Sequence, residues 1–356
     1  MPKPELELSR MTPNEIIRLA QEAKGKEKDA ILSQIAESEV CPSSLYEFLA
    51  GKSQKVRASL AKNPKLEGSY FKRLAEDEAP RVRSSLALNP SIPADILVKL
   101  SKDADEGVRA AVARSEKASA ELLAQMAEKP ENKGMVLASI AGSPWAPPGL
   151  VLKIVKAEDA SVKSRGRGGE NDELFFADES FEPLARAAAN ERTPKEALKL
   201  LAHYRGNEIE WSLAKNPSAP LEVLSEIVEK GSPSAKRDLA LNPALPKQLA
   251  LKIAELADEL GSANLAQKSP DKEVIESAVL AFRDLKKAER VALAASKNEA
   301  CPTAVLEKIF EDFKDGSNET VLFRLARNPA TPTSLLQKLA RSSSAKAAKA
   351  AQSRLA

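Results

Sequence analysis

An all-α solenoid is the fold class this sequence predicts, and three observations predict it. The phrase Leu-Ala-x-Asn-Pro returns at Leu60–Pro64, Leu86–Pro90, Leu213–Pro217, Leu239–Pro243 and Leu325–Pro329, with 26 residues from Asn63 to Asn89 and again from Asn216 to Asn242. Apolar residues around it fall three and four apart, the spacing of one helical face, and no stretch alternates as a strand does. A second proline recurs four residues beyond the Asn and divides each unit into two helices. A unit of this length cannot bury its apolar face alone, so stability must come from stacking neighbours.

With the Asn of Asn-Pro as slot zero, about eleven units follow, centred on Ser38, Asn63, Asn89, Ser115, Ser143, Asn190, Asn216, Asn242, Lys268, Asn298 and Asn328. Slot −2 is alanine in every unit except at Ser296, and slot −3 is apolar throughout. A small side chain at −2 implies close backbone approach. Asn and Pro then end the first helix, since neither continues one well. The second proline, at +4, is expected at the first position of a longer amphipathic helix, with Thr193 and Thr331 before it as N-caps. Slots +8 and +11 form the buried stripe of that helix, Leu97 and Leu100 being one example.

In chain order, residues 1–34 read as N-terminal capping helices, opened by Thr12-Pro13 with Ile16, Ile17 and Leu19 behind them. Residues 35–155 carry repeats one to five, 156–183 an insertion loop, 184–340 repeats six to eleven, and 341–356 a basic tail. The tail, with Arg341, Lys346, Lys349 and Arg354 among serines and alanines, reads as a polar cap helix with a frayed end rather than an arm for polyanions.

The run Val82-Arg83-Ser84-Ser85-Leu86-Ala87-Leu88-Asn89-Pro90-Ser91-Ile92-Pro93, echoed at Val56–Pro64 and continuing through Leu97, Leu100 and Asp103 into Val108-Arg109, resembles the leucine-rich repeat variant family. The resemblance covers about Ile35 to Ala340. It implies layers of α-helix and 3₁₀-helix alternating in a right-handed superhelix, a distinction from HEAT or armadillo arrays that periodicity alone does not make. It says little about function. One member type of that family carries a cysteine-ligated iron–sulfur module, which needs about four thiolates; Cys41 and Cys301 are the only cysteines, so no such cluster is expected here.

Composition bounds the function. The 356 residues are 43% hydrophobic but only 4% aromatic, which implies an aliphatic, alanine-rich core, and the net charge of +3 gives no global pull toward nucleic acid or lipid. Met1–Arg10 has no apolar leader, and no window approaches the length that spans a bilayer, so a cytoplasmic chain without membrane contact is expected. Each cysteine precedes the +4 proline and reads as a variant of the repeat rather than a reactive thiol. The single His203 reads as a helix surface or packing residue. No nucleophile–base set, metal cluster or cofactor motif is distinguishable, so no catalytic, cofactor or metal residue is assigned.

The candidates are therefore partner-binding residues. Arg57, Arg83 and Arg109 recur at slot −6, and the row could grip phosphates or an acidic peptide; Asp77 and Asp103 recur at the same interval, and internal ion pairing is the favoured reading. At slot −6 later units carry Leu137, Leu184, Glu210, Lys236, Ser262, Ala292 and Leu322, so the row fades. The insertion supplies Arg165 and Arg167 in a glycine-rich run, an acidic second half, and Phe175 and Phe176 as a short anchor. Trp145, among prolines, reads equally as a partner anchor or as a cover over the insertion. Together these make a non-enzymatic scaffold for a protein or peptide the expected function, with a nucleic-acid-binding solenoid, or less so a HEAT-like DNA glycosylase, as the alternative.

Overall fold

A computed structural model describes residues 7–164, 181–205, 208–256 and 258–356. Among these, 24 α-helices and three 3₁₀ segments occur and no strand. The chain divides into two compact units, the first reaching Ala197 and the second including Leu198–Ala356. Each is built of helix pairs stacked on the pairs before and after them, an α-solenoid arrangement. No helix of the described residues is long and apolar enough to cross a membrane.

The second helix of a layer is the longer one in some layers, as with Glu289–Ala295 (7 residues) and Thr303–Phe313 (11), and not in others. Pro80–Ala87 has 8 residues and its successor Ala94–Leu100 has 7, so the expected longer second helix is not seen there. Both are α-helical, where the family resemblance implies 3₁₀ for one of them; the 3₁₀ segments are Leu8–Arg10, Gly25–Glu27 and Ser43–Leu45. Short helices of this kind are marginal alone and owe their existence to burial of one face. The apolar slots supply it: Leu86 and Ala87 are fully buried, as are Leu325 and Ala326, and Leu100 and Leu339 are at most 1% exposed.

The slot-zero asparagines do more than end a helix. Asn89 donates from Nδ2 to the carbonyls of Ala61 (2.7 Å) and Asn63 (2.8 Å) in the preceding layer, while its Oδ1 accepts from the backbone N–H of Ser91 (2.8 Å). Asn63 does the same with Ala36, Ser38 and Lys65, and Asn190 with Ala141, Ser143 and Arg192. In the second unit Asn242 and Asn328 repeat the pattern. A buried amide ladder thus fastens each of these layers to the one before it, and the carboxamide's donor–acceptor pair is what the site requires. Alanine at −2 follows from it, because that residue's carbonyl is where the next layer's Asn docks. Where serine takes slot zero, as at Ser115 and Ser143, only the acceptor half survives, at 3.4 and 3.3 Å from the N–H two residues on.

Two local expectations are corrected. The +4 proline is usually the N-cap rather than the first helical residue: Pro93 has ψ 144° and Pro332 ψ 156°, still extended. Proline's fixed φ suits both positions; Pro13, ahead of the eleven units, is a first helical residue, behind the capping box of Thr12 and Glu15. Thr193 and Thr331 do not cap the following helix. Each donates its hydroxyl backward, to the carbonyls of Ala187 and Leu325 (2.7 Å in both), closing the C-terminal end of the preceding one.

The predicted insertion begins within a helix: Pro148–Ser164 runs 17 residues, and helix resumes at Glu182. At the other end the expected tail is ordered as a helix, Ala345–Leu355, with Ala347 and Ala351 buried. Arg354 lies 26 residues after Asn328. Its guanidinium donates to the carbonyls of Ala326 (3.0 Å) and Asn328 (2.6 Å), the pair a slot-zero asparagine would take. The helix is a twelfth first helix in the same frame.

Candidate functional site

The arginines at slot −6 occupy the corner between layers. Arg83 forms a two-pronged pair with Asp103, Nε to Oδ2 at 2.7 Å and Nη2 to Oδ1 at 2.8 Å, and Nη1 donates to the carbonyl of Asp77 at 2.7 Å. Arg57 is bound alike by Asp77, at 2.6 and 2.9 Å, and by the carbonyl of Lys52. The aspartates are anchored in turn, since each accepts a backbone N–H two residues on, Ala79 for Asp77 and Asp105 for Asp103. Burial alone would raise the Asp103 carboxyl; the hydrogen bonds from Arg83 and its own turn outweigh that and hold it below the usual carboxylate range. Arg109, 9% exposed, meets Asn132 Oδ1 at 2.7 Å instead of an aspartate, and the carbonyls of Asp103 and Ala104. The row is an internal fastening, with most of its donors engaged.

That fastening continues in forms the slot count missed. Arg237, at slot −5, makes the same two-pronged pair with Asp258 at 2.9 and 2.8 Å. At slot −6 one layer earlier the sign is reversed: Glu210, 1% exposed, accepts from the hydroxyl of Ser232 (2.7 Å) and lies 3.5 Å from Arg205. An Asp beginning the next first helix was the signal that could have located Arg237.

The other sequence candidates divide. Arg165, Arg167, Phe175 and Phe176 lie outside the described residues. Trp145 is 46% exposed, its backbone N–H on Ser143 Oγ, and the neighbouring Pro144 carbonyl accepts from Arg192 at 2.6 Å. Cys41 and Cys301 are buried, and burial pushes both thiols up to about 12, which keeps them protonated and poorly nucleophilic at neutral pH. His203 stacks against Tyr204 with ring centroids 4.1 Å apart.

A surface that the sequence reading passed over is in the second unit. Between helices Glu289–Ala295 and Glu319–Arg327 lies an open groove of about 480 Å³, lined by Lys297, Glu299, Thr320, Phe323, Arg324 and Arg327 together with the Asn328 corner. Lys297 and Arg327 occupy slot −1 of successive layers, Arg324 slot −4 and Phe323 slot −5, on the face turned away from the buried −3 and −7 positions. Among the described residues none of these three cations is in an ion pair, and Nε of Arg324 is buried without a hydrogen-bond partner. Arg327 lies over the Phe323 ring, 5.7 Å from its centroid. A groove with three cations, one carboxylate and an aromatic floor can receive an anionic, partly apolar chain.

Compared with models of known protein families and with curated proteins, the chain matches none significantly.

Proposed function

We propose that this chain is a non-enzymatic interaction scaffold of the leucine-rich repeat variant type, binding a protein or peptide. The supporting observation is the groove at Lys297, Phe323, Arg324 and Arg327, whose cations are in no ion pair among the described residues. The slots that repeat, Ala at −2, apolar −3 and +11 and, in seven of the eleven units, the slot-zero asparagine, serve the array itself. The slots that vary, −8, −4 and −1, are where a partner can be distinguished. An array of this kind offers recognition through its surface rather than an enclosed reaction site. The nucleic-acid alternative draws on Arg57, Arg83 and Arg109, nearby lysines and the tail; the three guanidinium groups, and that of Arg354 in the tail, are engaged within the array.

Affinity capture from native lysate tests the reading. Wild type and a Lys297→Gln, Arg324→Gln, Arg327→Gln variant are compared by quantitative mass spectrometry. One or more proteins retained by wild type and lost from the variant are expected; identical protein sets, or loss of nucleic acid only, would overturn it.

A further inference from the structure

We infer that the groove's ligand is an extended acidic peptide segment carrying an aromatic or aliphatic side chain. The inference rests on the scaffold reading and names the class of its partner.

The groove is the middle of a longer basic strip. Arg290 stands on one first helix, Glu289–Ala295, with Lys297 in the turn just past its end; Arg324 and Arg327 stand on the next, and Lys346 and Lys349 on Ala345–Leu355, which packs against it. Lys346 takes the slot of Thr320, and Lys349 that of Phe323. All but the half-buried Arg324 are exposed, and none of the six is in an ion pair among the described residues. With adjacent helices about 10 Å apart, the strip spans roughly 20 Å plus side-chain reach. An extended segment of about ten residues, near 33 Å, covers it.

Three features favour a peptide over a nucleic acid. Glu299 lies in the groove, where it opposes any anion but can accept the backbone N–H groups that every peptide residue carries and a phosphodiester backbone lacks. A single ring, Phe323, already faced by Arg327, makes no platform on which successive bases stack. Arg324 lines the groove half-buried, with its Nε buried and without a hydrogen-bond partner, so a carboxylate that enters meets a partly desolvated guanidinium rather than a fully hydrated surface charge. Phe323 beside it is a half-buried contact for one apolar side chain.

The test uses the full chain and fluorescence anisotropy of a labelled peptide of about ten Asp and Glu residues around one central Phe, at about 50 mM salt, where charge contacts are least screened. Three proteins are compared: wild type; the Lys297→Gln, Arg324→Gln, Arg327→Gln variant; and a control, Lys55→Gln, Lys72→Gln, Arg81→Gln, that removes equal charge from exposed positions of the first unit. Melting curves establish that each is folded. Expected are binding by wild type, a loss of about tenfold or more in the groove variant, less than twofold in the control, and a smaller loss for Phe323→Ala that vanishes when the peptide's Phe is replaced by Gly. Absence of peptide binding, equal weakening in the control, or tighter groove-dependent binding of a single-stranded RNA of equal charge would overturn the inference. If the lysate comparison still shows groove-dependent proteins while the acidic peptide fails, the peptide class falls and the scaffold reading stands.

Discussion

Arg83 in the first unit and Arg324 in the second sit on equivalent helices two slots apart, yet one is consumed by the fold and the other is not. At slot −6 the side chain points along the array, into the turn that leads to the next layer, and meets Asp103 and the carbonyl of Asp77. At slots −4 and −1 it points off the array, where Lys297, Arg324 and Arg327 share a groove with one carboxylate, Glu299. A cation is structural where an acceptor of a neighbouring layer meets it, as for Arg83 and, one slot off, Arg237, whereas the groove cations are in no ion pair among the described residues. Equal charge at two neighbouring slots has opposite meaning because the helix turns about 100° per residue.

The comparison is most sharply broken at Arg83. Arg83→Ala leaves Asp103, whose side chain is 9% exposed, without its hydrogen-bonded counter-ion, the charge of Arg109 acting on it only without a hydrogen bond to the carboxylate. Removing one partner from a buried pair costs about 3 kcal/mol, far more than the pair contributes over an apolar substitute. The expected outcome is a large drop in the denaturation midpoint at neutral pH. A stability unchanged from wild type would place Arg83 with the groove cations instead.

A smaller loss is expected at Asn89→Ser. The variant keeps an acceptor for the N–H of Ser91, as Ser115 does for Lys117, but loses both donors to Ala61 and Asn63. Two buried carbonyls lose this donor, although that of Asn63 keeps the N–H of Leu66, so the cost is about 1–2 kcal/mol. Urea titration reads it directly. A loss below that of an ordinary surface substitution would mean that the apolar slots alone fasten the layers.

The frame was legible in the sequence because it depends on slots that repeat: Ala at −2, apolar −3 and +11, and Asn at zero in seven of the eleven units. The amide ladder was partly hidden, since Asn before Pro already has a reading as a helix stop, and only its pairing with a small residue one unit earlier points to the side chain's second role. Arg354 was hidden by its own identity. It falls in frame 26 residues after Asn328, but an arginine among alanines and serines looks like a charged tail until its two carbonyl partners are seen. Arg237 was missed because an offset of one slot breaks a strict count while the pair to Asp258 survives. The groove could not be read at all. Whether a cation lacks a carboxylate depends on neighbours one layer away, and slots −4 and −1 carry no repeating signal.

The smallest effect is expected from the groove itself, and its smallness is informative. Lys297→Gln and Arg327→Gln remove exposed charges with no ion-pair partner among the described residues, and Arg324→Gln retains part of the stem that packs at the groove floor. Each should move stability by no more than about 0.5 kcal/mol, in either direction, as surface substitutions do. Removing three like charges from one short stretch also lessens their mutual repulsion, so the combined variant should melt at or slightly above wild type at low salt, with the difference fading as salt rises. A combined loss approaching that of Arg83→Ala would show that these side chains hold the layers together after all, and would erase the distinction between the two sets of cations.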